Sequence, residues 1–373
     1  MDSMITSRKQ RRFSVNNVSK TAWIVRGLFR IVGWFFTTFL THTIVEGEEH
    51  IPKNGPAIYA ANHASIYDAA LYFVFLPFRT QFVGPGDFRL RMPNRMAAEW
   101  TDVILVKRGS SDTRSLRAMI DTLKSGSQLA LFPEGGTWEK GLYDVKDGAA
   151  YLSMIAQAPI VPIAISGTYN LWNDIWKFKR PTITMRFLPP MQPVRKVPRN
   201  ERKAVLQEAS IDLMYRIYQE LEEDELERYK VYMRQRFSGK FITRPQSELF
   251  AKASNYQRVA ELVSKKNLFS TFHEHLKLPL TPFLQLRRYH SLKAVRAAVR
   301  NIRRALDDDV PGYITYRLGQ AAEKQIKAEL DEMQSTLEAA DNPNLRLRFL
   351  VEVQEGTEAI NIDPPQSKDI GGL

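Results

Sequence analysis

The chain has 373 residues, enough for one large or two modest domains with a sizeable core. Apolar residues make up 44% and charged residues 25%, which excludes wholesale disorder, and the absence of cysteine excludes disulfides and thiol chemistry and fits a reducing compartment. Fifty-three Lys and Arg against 41 Asp and Glu leave a net charge of +12, a surplus that points to phosphate-bearing partners: nucleic acid, anionic lipid or phosphorylated substrates.

In chain order, residues 1–20 form a polar, basic tail with Arg8, Lys9, Arg11, Arg12 and Lys20 against the single acid Asp2. Residues 21–41, TAWIVRGLFRIVGWFFTTFLT, read as a helix on which Arg26, Arg30, Gly33, Thr37 and Thr41 form one narrow, weakly polar stripe. The rest of its surface is Trp, Ile, Val, Leu and Phe. Two arginines inside the window argue against spanning a bilayer and for lying in its interface. A core helix with one exposed edge is the alternative. From about residue 44 to 190, short β-rich runs alternate with helical stretches. The expected strands are AIYAA, TQFVG, DVILVKR, QLALFP, IVPIAIS and TITMRFL, and the expected helices are 66–76, 112–124 and 147–156. This alternation predicts an α/β fold with a mixed, largely parallel sheet flanked by helices, whose chemistry gathers in the loops beyond the strand ends.

Beyond Pro198 the texture changes. Residues 200–236 read as long, charged helix, and helical patterns return at about 246–275, 291–306 and 321–340. LRLRFLVEV alternates like a strand, and DPPQSKDIGGL reads as a disordered tail. The expected organisation is a basic tail and interfacial helix over 1–41, a catalytic α/β domain over 42–222, and a mainly helical C-terminal region over 223–373.

The segment NHASIYD, Asn62 to Asp68, falls where an expected strand hands over to a helix. Ser65 and Asp68 have the spacing of a capping box, S-x-x-D, which would leave His63 a loop histidine with no task. The two roles are compatible. An aspartate in the first helical turn is placed to hold a histidine in the loop just before it, and a histidine oriented by a buried carboxylate is a general base in a fixed tautomer. No G-x-S-x-G elbow supplies a protein nucleophile, and Ser65 is too close in sequence to serve, so the base is expected to deprotonate a substrate hydroxyl. A zinc site is not indicated, because His273 and His275 lack a third ligand at a recognisable spacing.

Two further stretches fit the same chemistry. LFPEGGTW, Leu131 to Trp138, reads as a strand ending in a Pro-Glu-Gly-Gly loop, which is either a surface turn or a device that fixes Glu134 beside a bound group. VILVKRGSSD delivers Lys107 and Arg108 at a strand end, where a phosphate can be held, and Lys146 precedes the next helix near its positive end.

Taken together, NHASIYD, VKRG, FPEGG and APIVPIAI stand in the order found in the lysophosphatidic acid and glycerol-3-phosphate acyltransferases, which this chain resembles over about residues 40–220. The resemblance implies the glycerolipid acyltransferase fold. It makes His63 the general base paired with Asp68, and it implies substrate binding by Asn62, Arg108, Phe132, Pro133, Glu134, Gly135 and Lys146. It implies acyl transfer from acyl-CoA or acyl carrier protein to a lysophospholipid, with 1-acylglycerol-3-phosphate the leading acceptor, and no cofactor or metal beyond the thioester co-substrate. It also implies peripheral or monotopic attachment to the cytoplasmic face of a membrane, which accounts for the positive charge without nucleic acid. The chain departs from the family where FPEG is commonly followed by an arginine. Thr137 and Trp138 stand there, which leaves Lys140 or Lys146 to supply the cation and keeps another acceptor, a glycolipid or lyso-aminolipid, open. A non-catalytic membrane scaffold is the competing class, and intact His63 and Asp68 argue against it.

Overall fold

The structure, a computed structural model, describes residues 20–86, 100–108, 112–136, 146–251, 255–265, 268–269, 272–273, 279–307 and 313–357. The basic tail over 1–19, Thr137, Trp138, Lys140, His275 and the C-terminal tail lie outside the described residues.

The first sheet is built from β1 (His42–Glu46), β2 (Ala57–Ala61), β3 (Gln81–Pro85), β4 (Ile104–Val106), β5 (Gln128–Leu131), β6 (Ile160–Ser166) and β7 (Thr182–Phe187). Their order is β1-β7-β6-β2-β5-β3-β4, and every neighbouring pair is parallel except β6 with β7. β2 and β6 are buried along their whole length, which is why they read as unbroken apolar runs rather than alternating ones. The helices of this body are α1 (Lys20–Phe39), α2 (Ile66–Phe75), α3 (Thr113–Lys124), α4 (Gly148–Ala156), α5 (Leu171–Trp176), α6 (Arg202–Gln219) and α7 (Glu223–Arg234). On one face of the sheet, Ile58 and Ala60 pack with Leu123 of α3, Leu152 of α4, Met214 of α6 and Tyr229 of α7. On the other, Tyr59 and Ala61 pack with Leu71 and Tyr72 of α2, Leu171 of α5 and Phe36 of α1. The α/β architecture with a largely parallel sheet is as the sequence predicts.

Some boundaries differ. The strand end Val-Lys-Arg is shorter than expected, because β4 stops at Val106 and leaves Lys107 and Arg108 in the loop. The single long helix expected over 200–236 is two helices with a break at Glu220–Glu222, followed at once by a strand. β1 and α5, short elements with weak periodicity, went unread.

The second body has its own core. β8 (Gln235–Arg244) pairs along its full length with β10 (Arg346–Glu355), and β9 (His290–Ser291) adds to the other edge of β10. Helices α8 (Gln257–Ser264), α9 (Leu292–Asp307), α10 (Tyr313–Leu318) and α11 (Gln320–Ala339) accompany this sheet. Val259, Val299, Ile302, Ile326 and Leu330 close over Phe241 and Phe349. The C-terminal region is thus helix-rich, with a small antiparallel sheet that was only half legible. Gly239 sits in the middle of β8 and masks its alternation. A side chain there would run into Phe349 and Ala260, so glycine is what lets helix and strand approach.

Helix α1 is packed by its polar stripe. Arg26 is buried and donates to the carbonyls of Thr80 at 3.0 Å and Thr101 at 2.8 Å, while Thr37 and Thr41 are buried and Gly33 lies against Val74. The outward surface is therefore apolar: Trp23, Ile24, Leu28, Ile31, Val32, Trp34, Phe35 and Phe39 are all more than half exposed. Among the described residues no helix is long and apolar enough to cross a membrane.

Candidate active site

The carboxyl ends of parallel strands converge on one edge of the sheet, and there the motifs meet. β2 runs into Asn62 and His63, β5 beside it into Phe132, Pro133, Glu134 and Gly135, β6 on its other side into Gly167 and Thr168, and β4 into Arg108. Segments far apart in sequence become neighbours because the sheet order places β2 in the middle.

Asp68 is fully buried in the first turn of α2 and takes three donors. His63 Nδ1 lies 2.9 Å from Oδ2, the Ser65 amide donates to the same oxygen at 2.8 Å, and Thr168 Oγ1 donates to Oδ1 at 2.5 Å. Because the carboxylate only accepts, Nδ1 carries the proton and Nε2 is the nitrogen left to act as a base. The capping box is also present, so one aspartate both starts the helix and fixes the histidine.

The imidazole is held from below as well. Phe132 stacks on it with ring centroids 3.8 Å apart and planes within 9°, and Tyr72 stacks on Phe132 at 4.6 Å. Tyr72 is pinned by its own hydroxyl, which donates to the Leu131 carbonyl at 3.0 Å. Phe132, expected to bind substrate, is placed to hold the base. Asn62, expected in the same group, has its amide filled by the backbone of Ile165, with Nδ2 donating to the carbonyl and Oδ1 accepting from the amide, both at 2.8 Å. It ties the loop after β2 to β6.

Glu134 turns inward. Its Oε1 accepts the His63 amide at 2.9 Å, and its Oε2 has no hydrogen-bond partner among the described residues. Burial pushes this carboxyl up to about 8, the Asp68 and Glu225 charges add to the effect, and the His63 amide and Arg228 oppose it. Pro133 is buried beneath the turn, and its carbonyl accepts the Lys146 amide at 3.0 Å. Gly135 has φ +74°, a conformation that favours glycine. The Arg108 guanidinium donates to the Gly135 carbonyl at 2.5 Å, so Arg108 and Lys146 both meet the turn that carries Glu134 and Gly135.

Two contributions were missed in the sequence. Thr168 stands 100 residues from Asp68, and its only local signal is a hydroxyl just past a strand end. The chain entering α7 braces the same loop: Glu222, the last residue of the expected domain, donates its amide to Ser166 Oγ at 3.1 Å, and Glu225 of α7, beyond that limit and paired with Arg228, accepts the Gly167 amide at 3.5 Å.

Residues 42–166 match a family model described as Acyltransferase. The chain is 27% identical over 168 residues to 1-acyl-sn-glycerol-3-phosphate acyltransferase beta of Homo sapiens, covering 42% of this chain and 60% of that protein. It is 29% identical over 153 residues to the 1-acyl-sn-glycerol-3-phosphate acyltransferase of Limnanthes douglasii, covering 39% and 53%. The chain thus spans about half to three-fifths of the length of these relatives. The crystal structure of the 1-acyl-sn-glycerophosphate (LPA) acyltransferase PlsC from Thermotoga maritima matches with a TM-score of 0.41 at 25% identity, covering 52% of this chain and 80% of that one.

Proposed function

We propose that this chain, a member of the acyltransferase family through residues 42–166, transfers a fatty acyl group from a thioester to the free hydroxyl of a lysophospholipid, with 1-acylglycerol-3-phosphate as the leading acceptor. The observation that carries the reading is the buried Asp68 holding His63 by Nδ1, with Nε2 left for the acceptor. His63 takes the hydroxyl proton as the oxygen attacks the thioester carbonyl of acyl-CoA or acyl carrier protein. The tetrahedral oxyanion then collapses, the carbon–sulfur bond breaks, and the imidazolium returns its proton to the leaving thiolate. An ester replaces a thioester and a free thiol is released, so the reaction needs no cofactor beyond the thioester. Asp68 stabilises the imidazolium that forms between the two transfers. Arg108 and Lys146 supply positive charge for the acceptor phosphate.

The apolar surface supports a lipid acceptor reached from a bilayer. The outward face of α1 continues through an edge contact of Phe36 with Trp172 at 5.9 Å, and on to exposed Trp176 and Phe178. Trp172 in turn meets Tyr67, next to Asp68, at 5.7 Å. An apolar patch of this extent on a basic protein suits a membrane interface and brings the histidine loop to its edge. On this reading the chain sits on the cytoplasmic face as a peripheral or monotopic protein.

The test is to incubate purified protein with labelled acyl-CoA and a panel of lysolipids and to identify the product by mass. Phosphatidic acid from 1-acylglycerol-3-phosphate is the expected product. Transfer only to a glycolipid or lyso-aminolipid would reassign the acceptor, and hydrolysis without transfer would overturn the reading.

A further inference from the structure

The C-terminal body reaches the acceptor loop at one place that the acyl transfer itself does not use. Tyr316 of α10 donates its hydroxyl to the Gly135 carbonyl at 3.4 Å. A side chain at Gly135 would collide with that hydroxyl, so loop and tyrosine are closely fitted. The same ring lies against both cations of the loop: the Arg108 guanidinium carbon is 5.7 Å from its centroid and the Lys146 ammonium 5.2 Å. Both separations are within the range of cation–π attraction, which holds flexible cationic side chains over an aromatic ring.

We propose that Tyr316 forms part of the acceptor site, walling the anionic subsite of Arg108 and Lys146 and selecting acceptors that end in a phosphate monoester. The inference rests on the acyl-transfer reading of the site. Its chemistry is specific. Two cations and one phenolic hydroxyl are brought together around a glycine carbonyl. A terminal phosphate fits between the cations, and the hydroxyl turns from its long bond to the Gly135 carbonyl to donate to it. A phosphodiester carries one charge fewer, and its extra substituent has to extend toward the space that the Tyr316 ring fills. The C-terminal region thereby acquires a role in acceptor choice, and a glycine loop in one body is matched to a side chain in the other.

The experiment compares the full chain with Tyr316→Phe and Tyr316→Ala on lysophosphatidic acid and lysophosphatidylcholine, with acyl-CoA as donor. The Phe variant keeps the ring and loses the hydroxyl. Its kcat/KM for lysophosphatidic acid should fall roughly ten- to a hundredfold, the span of one charged hydrogen bond, with the acyl-CoA KM unchanged. The Ala variant should lower the preference for lysophosphatidic acid over lysophosphatidylcholine by roughly tenfold or more by the same reasoning. A preference unchanged in both variants overturns the proposal, whatever happens to overall rate. If Tyr316→Ala does not fold, the acceptor KM of Tyr316→Phe decides. If the wild-type chain acylates no acceptor, the acyl-transfer reading fails by itself. The subsite is then read by tryptophan fluorescence on titration with short-chain lysophosphatidic acid: weaker binding by the Phe variant supports the proposal, and equal binding overturns it.

Discussion

Thr168→Val is the perturbation that isolates the support of the catalytic pair. It replaces a hydroxyl by a methyl of nearly the same shape at a fully buried position and removes the 2.5 Å bond to Asp68 Oδ1. The remaining donors, His63 Nδ1 and the Ser65 amide, both sit on Oδ2, so Oδ1 loses the hydroxyl that satisfies it. A hydrogen bond to a charged group is worth about 1.5–3 kcal/mol, and unfolding in denaturant should show a loss of that order. The carboxylate can then rotate about its own axis to recover a partner, which loosens its hold on the imidazole. Since about 1.4 kcal/mol is tenfold in rate, kcat should fall roughly ten- to a hundredfold, while KM for acyl-CoA and lysolipid stays within about twofold. Thr168→Ser, which restores the hydroxyl, should recover most of the rate. A Thr168→Val protein that lost stability but kept wild-type kcat would show that the hydroxyl holds the fold and not the base.

Three other outcomes are expected from the structure. Because Glu134 titrates at about 8 when folded and near 4.5 when unfolded, the native state binds the extra proton between those values, and stability should decline as pH rises through that window. Glu134→Gln, a neutral mimic that still accepts the His63 amide, should flatten that decline in melting experiments between pH 5 and 8; an equally steep slope would assign it elsewhere. Phe132→Ala should lower kcat by about tenfold or more and leave acceptor KM nearly unchanged, since the ring positions the histidine; a selective rise in acceptor KM would make it a substrate contact. Replacing Trp34, Phe35 and Phe39 together by serine should release the protein from anionic vesicles in sedimentation assays and leave its melting temperature unaltered, since all three side chains are exposed; undiminished sedimentation would place the attachment elsewhere.

The candidate site was legible to the extent that strand ends can be read from sequence. Buried parallel strands announce themselves as short apolar runs, and the residues just past each run land on one edge of the sheet. His63, Arg108 and Glu134 could therefore be grouped from their positions in the chain. The task of each residue there was less legible. Asn62 and Phe132 stand just past the ends of β2 and β5, beside the base, yet their partners are the Ile165 backbone and the imidazole face, contacts set by sheet order. Thr168 and Tyr316 reach the site across 100 and 181 residues from their partners Asp68 and Gly135, and no local pattern encodes such a pairing. The stripe on α1 was seen, and the apolar face read as pointing away from the core is the exposed one. Periodicity shows that a helix has two faces, and the burial of Arg26, Thr37 and Thr41 shows which of them packs on the protein. In the C-terminal region, helix periodicity over 291–306 and 321–340 was strong enough to read, whereas Gly239 interrupted the alternation that marks β8.

The most direct test of His63 as the general base of an acyl transfer is the rate at which purified wild-type and His63→Ala proteins move a labelled acyl group from acyl-CoA to 1-acylglycerol-3-phosphate. Phosphatidic acid is the product expected from the wild type. The His63→Ala protein should lose roughly 10²–10⁴-fold in rate, the measure of a missing general base, with melting temperature and vesicle binding retained. Turnover by His63→Ala close to that of the wild type would contradict the assignment.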